Sequence, residues 1–234
     1  PETSDAYEAG IKSRFFDRRV LFNLTYYHTD YTNIQRAVSF DAGNNTILTA
    51  TRNAAGAKID GVEGELRAAL FDGLTIGGNM AYTDARYEDY KITIRRGGVP
   101  TVLDLSNVEF QGLYKWTYSL MDAYDKPTPF GKFHAQLNWS HRSAANLFEN
   151  DSYATDSGPA TPLAETRQEA FGVVDGSISL DFDKLNSTVT VWAKNALDKR
   201  YKQGMLSLSN NGVPYTWALF GDPATYGVDL TVRF

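Results

Sequence analysis

The stretch Tyr226-Gly227-Val228-Asp229-Leu230-Thr231-Val232-Arg233-Phe234 alternates strictly between two kinds of side chain. Apolar and aromatic residues occupy its even-numbered positions, whereas the odd-numbered positions carry small, polar or charged residues. Successive side chains of a β-strand point to opposite faces of a sheet. The stretch therefore predicts a strand with one apolar face and one aqueous face.

The same alternation recurs along the chain. It is clear in residues 7–15, 20–26, 62–70, 74–82, 133–139 and 174–182, and less regular near 110–124 and 186–195. With the final stretch, the pattern predicts roughly nine strands of about ten residues or longer, the length that a tilted strand needs to span a membrane.

The connections between these segments alternate between short and long. Short turns are expected at 17–18, 71–73, 125–131 and 183–184, and long polar loops at 35–56, 88–107, 145–168 and 196–224. In an up-and-down meander every second connection lies on the same side of the sheet. Short turns on one side and long loops on the other are typical of outer-membrane barrels, with the short turns periplasmic and the long loops extracellular.

The composition excludes several kinds of structure and function. No run of 18 apolar residues occurs in the 234-residue chain, so we expect no transmembrane helix. A mean hydropathy of -0.38 would suit a soluble protein, but alternating strands average their hydropathy in the same way. The absence of Cys excludes disulfides and thiol chemistry, and a net charge of -5 gives no support for nucleic-acid binding.

Several segments, taken in chain order, resemble TonB-dependent outer-membrane receptors. Residues 1–13 (PETSDAYEAGIKS) resemble a mid-barrel strand of that family, and 27–35 resemble the end of its hairpin partner. Residues 57–65 resemble its GVE-x-E strand, 194–201 its penultimate KNLFD-x-x-Y strand, and 221–234 its final strand. Two departures are small: Ala196 stands where Leu is usual, and Ala224 where Arg is common.

The resemblance implies an all-β, antiparallel, up-and-down transmembrane barrel of about 22 strands around an N-terminal plug. Residues 1–234 would be the C-terminal portion, about the last nine strands. Since the chain starts at Pro1 without an initiator Met or a signal peptide, we expect the plug domain and the TonB box to be absent from it. In this family the barrel-assembly machinery reads the terminal aromatic strand, here Tyr226, Val228, Leu230, Val232 and Phe234.

The implied function is TonB-energised uptake of a scarce nutrient across the outer membrane of a Gram-negative bacterium. The resemblance makes an iron–siderophore chelate the first candidate, with cobalamin, haem or a glycan as others. Its implied partners are outer-membrane lipid, the assembly machinery, TonB through the missing N-terminal region, and the small-molecule ligand. Two alternatives stay open: a passive porin, and a soluble secreted β-sheet binding module, although soluble strands are usually only about five or six residues long.

No enzyme is expected, because the chain has no nucleophile elbow, P-loop or dinucleotide-binding motif. The three His have no carboxylate or Cys at a metal-binding spacing, so neither a metal site nor a cofactor is expected.

Aromatic residues supply the candidate ligand contacts. The long loops contain Tyr153, Tyr201, Tyr215 and Trp217, which are candidates for stacking on a ligand at the mouth, with ordinary loop packing as the alternative. Trp192 shares the parity of Thr188 and Thr190, which predicts a position facing the lumen. Glu63, Glu65 and Arg67 are also expected to face the lumen. Interfacial belts are predicted from Tyr26, Tyr82, Tyr87, Trp116, Tyr118 and Trp139.

Overall fold

A computed structural model describes residues 1–41, 47–96, 98–148, 163–207 and 215–234. The strands in chain order are β1 (Thr3–Phe15), β2 (Val20–Asp41), β3 (Ile47–Phe71), β4 (Leu74–Arg96), β5 (Val99–Asp104), β6 (Trp116–Thr128), β7 (Gly131–Arg142), β8 (Ala145–Asn146), β9 (Arg167–Gln168), β10 (Phe171–Phe182), β11 (Ser187–Lys194), β12 (Lys202–Ser207), β13 (Thr216–Phe220) and β14 (Thr225–Val232). One helical turn, α1, covers Leu163–Thr166, and a 3-10 turn covers Asp183–Leu185. No helix in the described part of the chain combines the length and the apolar character needed to cross a membrane.

Nine of the described strands follow one another across a single antiparallel sheet in the order β1-β2-β3-β4-β6-β7-β10-β11-β14. Each strand pairs with the next long strand of the chain, so the topology is an up-and-down meander. Strand β5 folds back on β4, while β8–β9 and β12–β13 pair outside the main sheet. Among the described strands, β1 pairs only with β2 and β14 only with β11, which leaves both ends of the sheet open. The predicted fold class and the nine strands are confirmed.

The short connections lie where the sequence predicts them. Four residues join β1 to β2, two join β3 to β4 and β6 to β7, and the 3-10 turn joins β10 to β11. Gly73 has φ +87, and a Cβ at this position would overlap the carbonyl oxygen of Asp125 on the neighbouring strand. Only glycine fits this turn, because it combines a left-handed backbone with the close approach of a second strand.

Two of the predicted long loops are largely strand. Strands β2 and β3 remain paired out to Asp41 and Ile47. Strand β4 continues to Arg96, and its last six residues pair with β5. The sequence analysis assigned these segments to loops because turn-forming residues such as Gly, Asn and Asp are frequent in them, whereas backbone pairing in fact continues. The predicted loops 145–168 and 196–224 likewise contain the short pairs β8–β9 and β12–β13, while their residues 149–162 and 208–214 lie outside the described residues.

One face of the main sheet is apolar, and no other described part of the chain covers it. Its side chains keep much of their surface exposed, with Val228 and Leu230 both at 69%, and include Phe22, Leu24, Leu66, Leu120, Leu137, Ile178 and Val191. An apolar surface of this extent is unfavourable in water and suits contact with hydrocarbon. Rings pair on this face where the apolar surface ends, as in Tyr82 with Trp116 at 4.6 Å between centroids and Tyr118 with Trp139 at 5.5 Å.

A small buried cluster lies on the opposite face. The connection between β5 and β6 folds back over β3 and β4, and Phe110 stacks on Tyr87 at 4.1 Å between centroids. The cluster consists of Ala55, Ala57, Tyr87, Tyr90 and Leu105. The prediction that Tyr87 belongs to an interfacial belt is therefore wrong. Tyr87 is an odd number of residues from Tyr82, so strand alternation turns it to the other face.

Candidate functional site

The polar face of the sheet borders two large cavities. The first has a volume of about 870 Å³ and extends across β1, β2, β3, β4, β6 and β7. Its wall includes Glu8, Lys12, Asn23, Glu63, Glu65 and Asn79. The Asn23 amide donates to the Glu65 carboxylate at 2.7 Å, which fixes one acidic side chain against the wall. The predicted inward positions of Glu63 and Glu65 are confirmed.

The second cavity, of about 630 Å³, continues the polar wall across the later strands. Arg67, Gln136, Asn138, Asp175, Trp192 and Lys194 contribute to its lining. Acidic, basic and amide groups are mixed along both cavities, so the wall offers many weak polar contacts. Such a surface suits reversible contact with water, with a polar solute or with another protein segment.

Trp192 faces this second cavity, as the parity of its strand predicts. Its indole Nε1 donates to the Asp229 carboxylate on β14 at 2.8 Å. The ring lies over Gly227, and the Lys194 ammonium lies 5.7 Å from the ring centroid. One side of the ring thus contacts the neighbouring strand. A role for Trp192 in ligand binding stays a prediction.

Tyr201 takes part in loop packing. Its ring stacks on Phe171 at 4.4 Å between centroids, with the two planes 11° apart. The same ring covers Gly221, whose amide donates to the Tyr201 carbonyl at 2.9 Å. These contacts occupy the ring, so the structure favours the packing alternative at this position.

The β12–β13 hairpin carries two of the predicted loop aromatics in exposed positions. Tyr215 is 55% exposed and Trp217 is 45% exposed. Trp217 lies opposite Leu206 across the hairpin, and Leu219 lies opposite Gly204. Two of the predicted aromatics therefore lie close together on an accessible apolar surface, whereas Trp192 lies apart from them on the sheet wall. Tyr153, the remaining predicted aromatic, falls outside the described residues.

Asn195 is a structural residue that the sequence reading did not single out. It is 5% exposed, and its side chain donates to the carbonyls of Lys199 at 3.0 Å and Asp222 at 2.9 Å. Its Oδ1 accepts from the Lys199 amide at 2.8 Å, and Asp198 accepts from the Ala224 amide at 3.0 Å. Strand β11 thus ends at Lys194, close to the end of the strand predicted near 186–195, and a turn then fixes the base of the loop predicted at 196–224.

Contacts between separate loops stabilise the base of the β12–β13 hairpin further. Glu109 accepts from Asn146 at 2.9 Å and pairs with Arg167 at 3.2 Å. The Lys202 ammonium donates to the carbonyls of Glu165 at 2.9 Å and Arg167 at 3.0 Å. Sequence reading could not find these contacts, because their partners are 35 to 58 residues apart and no local pattern marks them.

The terminal strand has the geometry that its alternation predicts. Tyr226, Val228 and Leu230 lie on the apolar face and are 65% to 69% exposed, and Val232 and Phe234 continue the pattern. The edge of β14 opposite β11 has no partner strand among the described residues. The role of these five residues as an assembly signal stays a prediction.

Among the described residues, no three His, Cys, Asp or Glu side chains are grouped so that they could hold a metal ion. His134 instead contacts Asp125 at 2.8 Å, and the same carboxylate pairs with Lys132 at 2.7 Å.

A meander with one uncovered apolar face, one polar face bordering cavities and short turns along one side is part of a transmembrane β-barrel wall. The family model described as TonB dependent receptor-like, beta-barrel, matches residues 1–196. The chain therefore belongs to the TonB-dependent receptor β-barrel family, and it is part of a Gram-negative outer-membrane protein. The family and its structural neighbours are transport receptors.

Solved structures agree with this fold. The chain is similar over its whole length to the ferric yersiniabactin uptake receptor FyuA from Yersinia pestis, with 16% identity, a TM-score of 0.70 and coverage of 30% of that chain. The siderophore receptor PiuA from Acinetobacter baumannii gives 18% identity and a TM-score of 0.66, with 97% of this chain and 28% of that one covered. The pyoverdine outer membrane receptor FpvA from Pseudomonas aeruginosa PAO1 gives 19% identity and a TM-score of 0.65, with 100% and 30% covered. The chain thus spans under a third of the length of these three receptors.

Proposed function

We propose that residues 1–234 form the C-terminal portion, about the last nine strands, of the barrel of a receptor that imports a ferric siderophore with energy delivered through TonB. One observation carries the proposal. The whole sheet aligns with the barrels of receptors named for ferric yersiniabactin and pyoverdine, at TM-scores of 0.70 and 0.65. The plug and the TonB-contacting segment would then lie elsewhere in a longer protein.

The chemistry that this wall supports is binding and passage. Mixed polar groups such as Glu65, Arg67 and Asn79 keep the inner surface hydrated, so a polar chelate or a plug segment can slide along it without losing its hydrogen bonds. The long hairpins form part of the mouth, where a ligand is first held. The outer face contacts lipid, and the free edge of β14 would close the barrel and serve the assembly machinery.

Uptake of radiolabelled ligands tests the proposal directly. The gene for the full-length receptor is deleted in its own host, and uptake is measured with ferric siderophores and haem labelled in the iron and with cobalamin labelled in the cobalt. We expect the deletion to abolish uptake of one ferric siderophore. In cells that have the receptor, the same uptake should stop when a protonophore collapses the inner-membrane proton gradient. Protonophore-resistant uptake, together with steady conductance of the purified protein in planar bilayers, would instead establish the porin alternative.

The exposed hairpin aromatics are the proposed ligand contacts in this part of the mouth. Trp217 and Tyr215 offer flat apolar surface at small conformational cost, because each side chain has only two rotatable bonds. Replacing Trp217 or Tyr215 by Ala should weaken binding of the identified siderophore by about tenfold, as expected for an aromatic contact of about 1.4 kcal/mol. Leu197→Ala is the matched control, because Leu197 is 74% exposed and lies at the base of the same connection.

A further inference from the structure

The apolar face of the β11–β14 pair does not by itself determine the register of the two strands. Val189 lies opposite Leu230, and Val191 lies opposite Val228. A shift of two residues in either direction would still place aliphatic side chains opposite one another on this face. Strand alternation excludes shifts of one residue, because these turn every side chain to the wrong face, but it does not exclude shifts of two.

The polar face removes the ambiguity. Trp192 lies directly opposite Gly227, and its ring covers the glycine so closely that a Cβ there would overlap the ring atoms Cζ2 and Cε2. Gly227 is the single glycine of β14. A shift of two residues would place either Thr225 or Asp229 opposite the ring, and the side chain of each would fill the space that the ring now uses.

A hydrogen bond from Trp192 favours the same register. The indole Nε1 donates to Asp229, two residues beyond Gly227 on β14, at 2.8 Å. In either shifted register Asp229 would move by about 7 Å along the strand relative to the indole, which breaks the bond. The ring and the hydrogen bond therefore favour the same single register.

We infer that Trp192 is a positioning residue whose contact with Gly227 and Asp229 sets the register of β14. The register matters because one edge of β14 has no partner among the described strands, and the register determines how far along the sheet that edge extends. In the longer protein this decides which residues of β14 meet the strand that closes the barrel. The inference is independent of the ligand that the receptor imports.

Residues 1–234 contain no Cys, so each engineered pair supplies the only two thiols of this part of the barrel. In the full-length receptor, Val191→Cys with Val228→Cys reports the observed register. Val189→Cys with Val228→Cys and Val191→Cys with Leu230→Cys report the two shifted registers. Directly opposite Cβ atoms lie about 4.5–5.5 Å apart and diagonal ones farther, so a disulfide forms readily only between opposite residues. Outer membranes are treated with a membrane-permeant oxidant, and cross-linked protein is quantified.

With Trp192 present, we expect the 191/228 pair to cross-link and the shifted pairs to remain largely reduced. In the Trp192→Ala background, cross-linking of a shifted pair should rise by about fivefold to tenfold, as expected when one aromatic contact is lost. Trp192→Phe keeps a ring over Gly227 and should retain most of the observed register. Thr188→Ala is the control: it removes a hydrogen bond to Asp181 on the same face without affecting the ring.

Gly227→Ala supplies a second test that leaves Trp192 in place. The added methyl group occupies the position of the ring, so a shifted pair should gain cross-linking here as well. If Trp192→Ala prevents folding, cross-linking of the Gly227→Ala variant tests the inference by itself. Retention of the 191/228 pattern in the folded variants, or an equal shift with Thr188→Ala, would overturn the inference.

Discussion

The phenol oxygen of Tyr27 lies 2.8 Å from the Thr83 hydroxyl, two strands away across the sheet. The bond is possible because the Tyr27 ring crosses the intervening strand β3 directly over Gly61. A side chain at position 61 would block this path. One aromatic residue thus joins β2, β3 and β4, in the same way as Trp192 covers Gly227 at the other end of the sheet.

Gly61→Ala should destabilise the barrel by about 1–3 kcal/mol, because the new methyl group overlaps the Tyr27 ring in a packed site. Chemical unfolding of the full-length receptor in lipid vesicles, followed by tryptophan fluorescence, measures the effect. Gly204→Ala is the matched control, since a Cβ at Gly204 would meet no atom within 4 Å. Equal stability of the two variants would contradict the proposed crossing of the ring.

Arginine scanning of β14 distinguishes its two faces. Val228→Arg or Leu230→Arg places a charge against hydrocarbon and should cost about 2–4 kcal/mol near the midplane. Thr231→Arg lies on the opposite, polar face and should change stability by less than about 1 kcal/mol. The free energy of unfolding in lipid vesicles checks both. Similar costs on the two faces would show that the apolar face does not contact lipid.

The Asn195 side chain stabilises the turn after β11 through three hydrogen bonds. Asn195→Ala leaves two carbonyls and one amide without these partners in a buried site, and should cost about 2–4 kcal/mol. Asn79→Ala, at an exposed position on the polar wall, should cost less than about 0.5 kcal/mol. Limited proteolysis of the 196–224 connection provides a local readout. Unchanged cleavage in Asn195→Ala would show that other contacts fix the turn.

Asp104 is the last residue of β5, in the connection 88–107 that the sequence predicts to be extracellular, and its side chain stabilises the turn that follows. Its carboxylate accepts from the Ser106 hydroxyl at 2.6 Å and the Ser106 amide at 3.0 Å, and these hydrogen bonds hold the pKa of Asp104 below its usual range. A lowered pKa contributes stability that is present above the ordinary carboxyl pKa and is lost as the pH falls through the lowered value. We therefore expect the turn that positions the buried Leu105 to loosen in acid.

Hydrogen exchange of residues 103–108, expressed as protection factors, measures this effect. Protection should fall as Asp104 is protonated, whereas Asp104→Asn should show weak protection with little dependence on pH. A wild-type protection factor that stays constant through the acidic range would contradict the assignment to Asp104.

Alternation predicted the central strands well because membrane and lumen impose opposite demands on successive side chains. Residues 74–82 and 174–182 lie within β4 and β10 of the observed sheet. The prediction failed in the extensions of β2, β3 and β4, where turn-forming residues indicated a loop although the backbone remains paired. For the candidate site, parity placed Trp192 and Glu65 on the inner wall. It could not show whether an aromatic ring is accessible to a ligand or already packed against another residue.

The sequence by itself determined the strands between the short turns, their apolar and polar faces, and the receptor family that these patterns resemble. Only the tertiary structure decided which side chains meet. Tyr201 packs on Phe171, Trp192 covers Gly227, and Asn195 joins two parts of one loop, and none of these contacts has a local periodic signature. The physical reason is that alternation records the solvent each face meets, a local property, whereas register and loop packing depend on the shapes of residues brought together from distant parts of the chain.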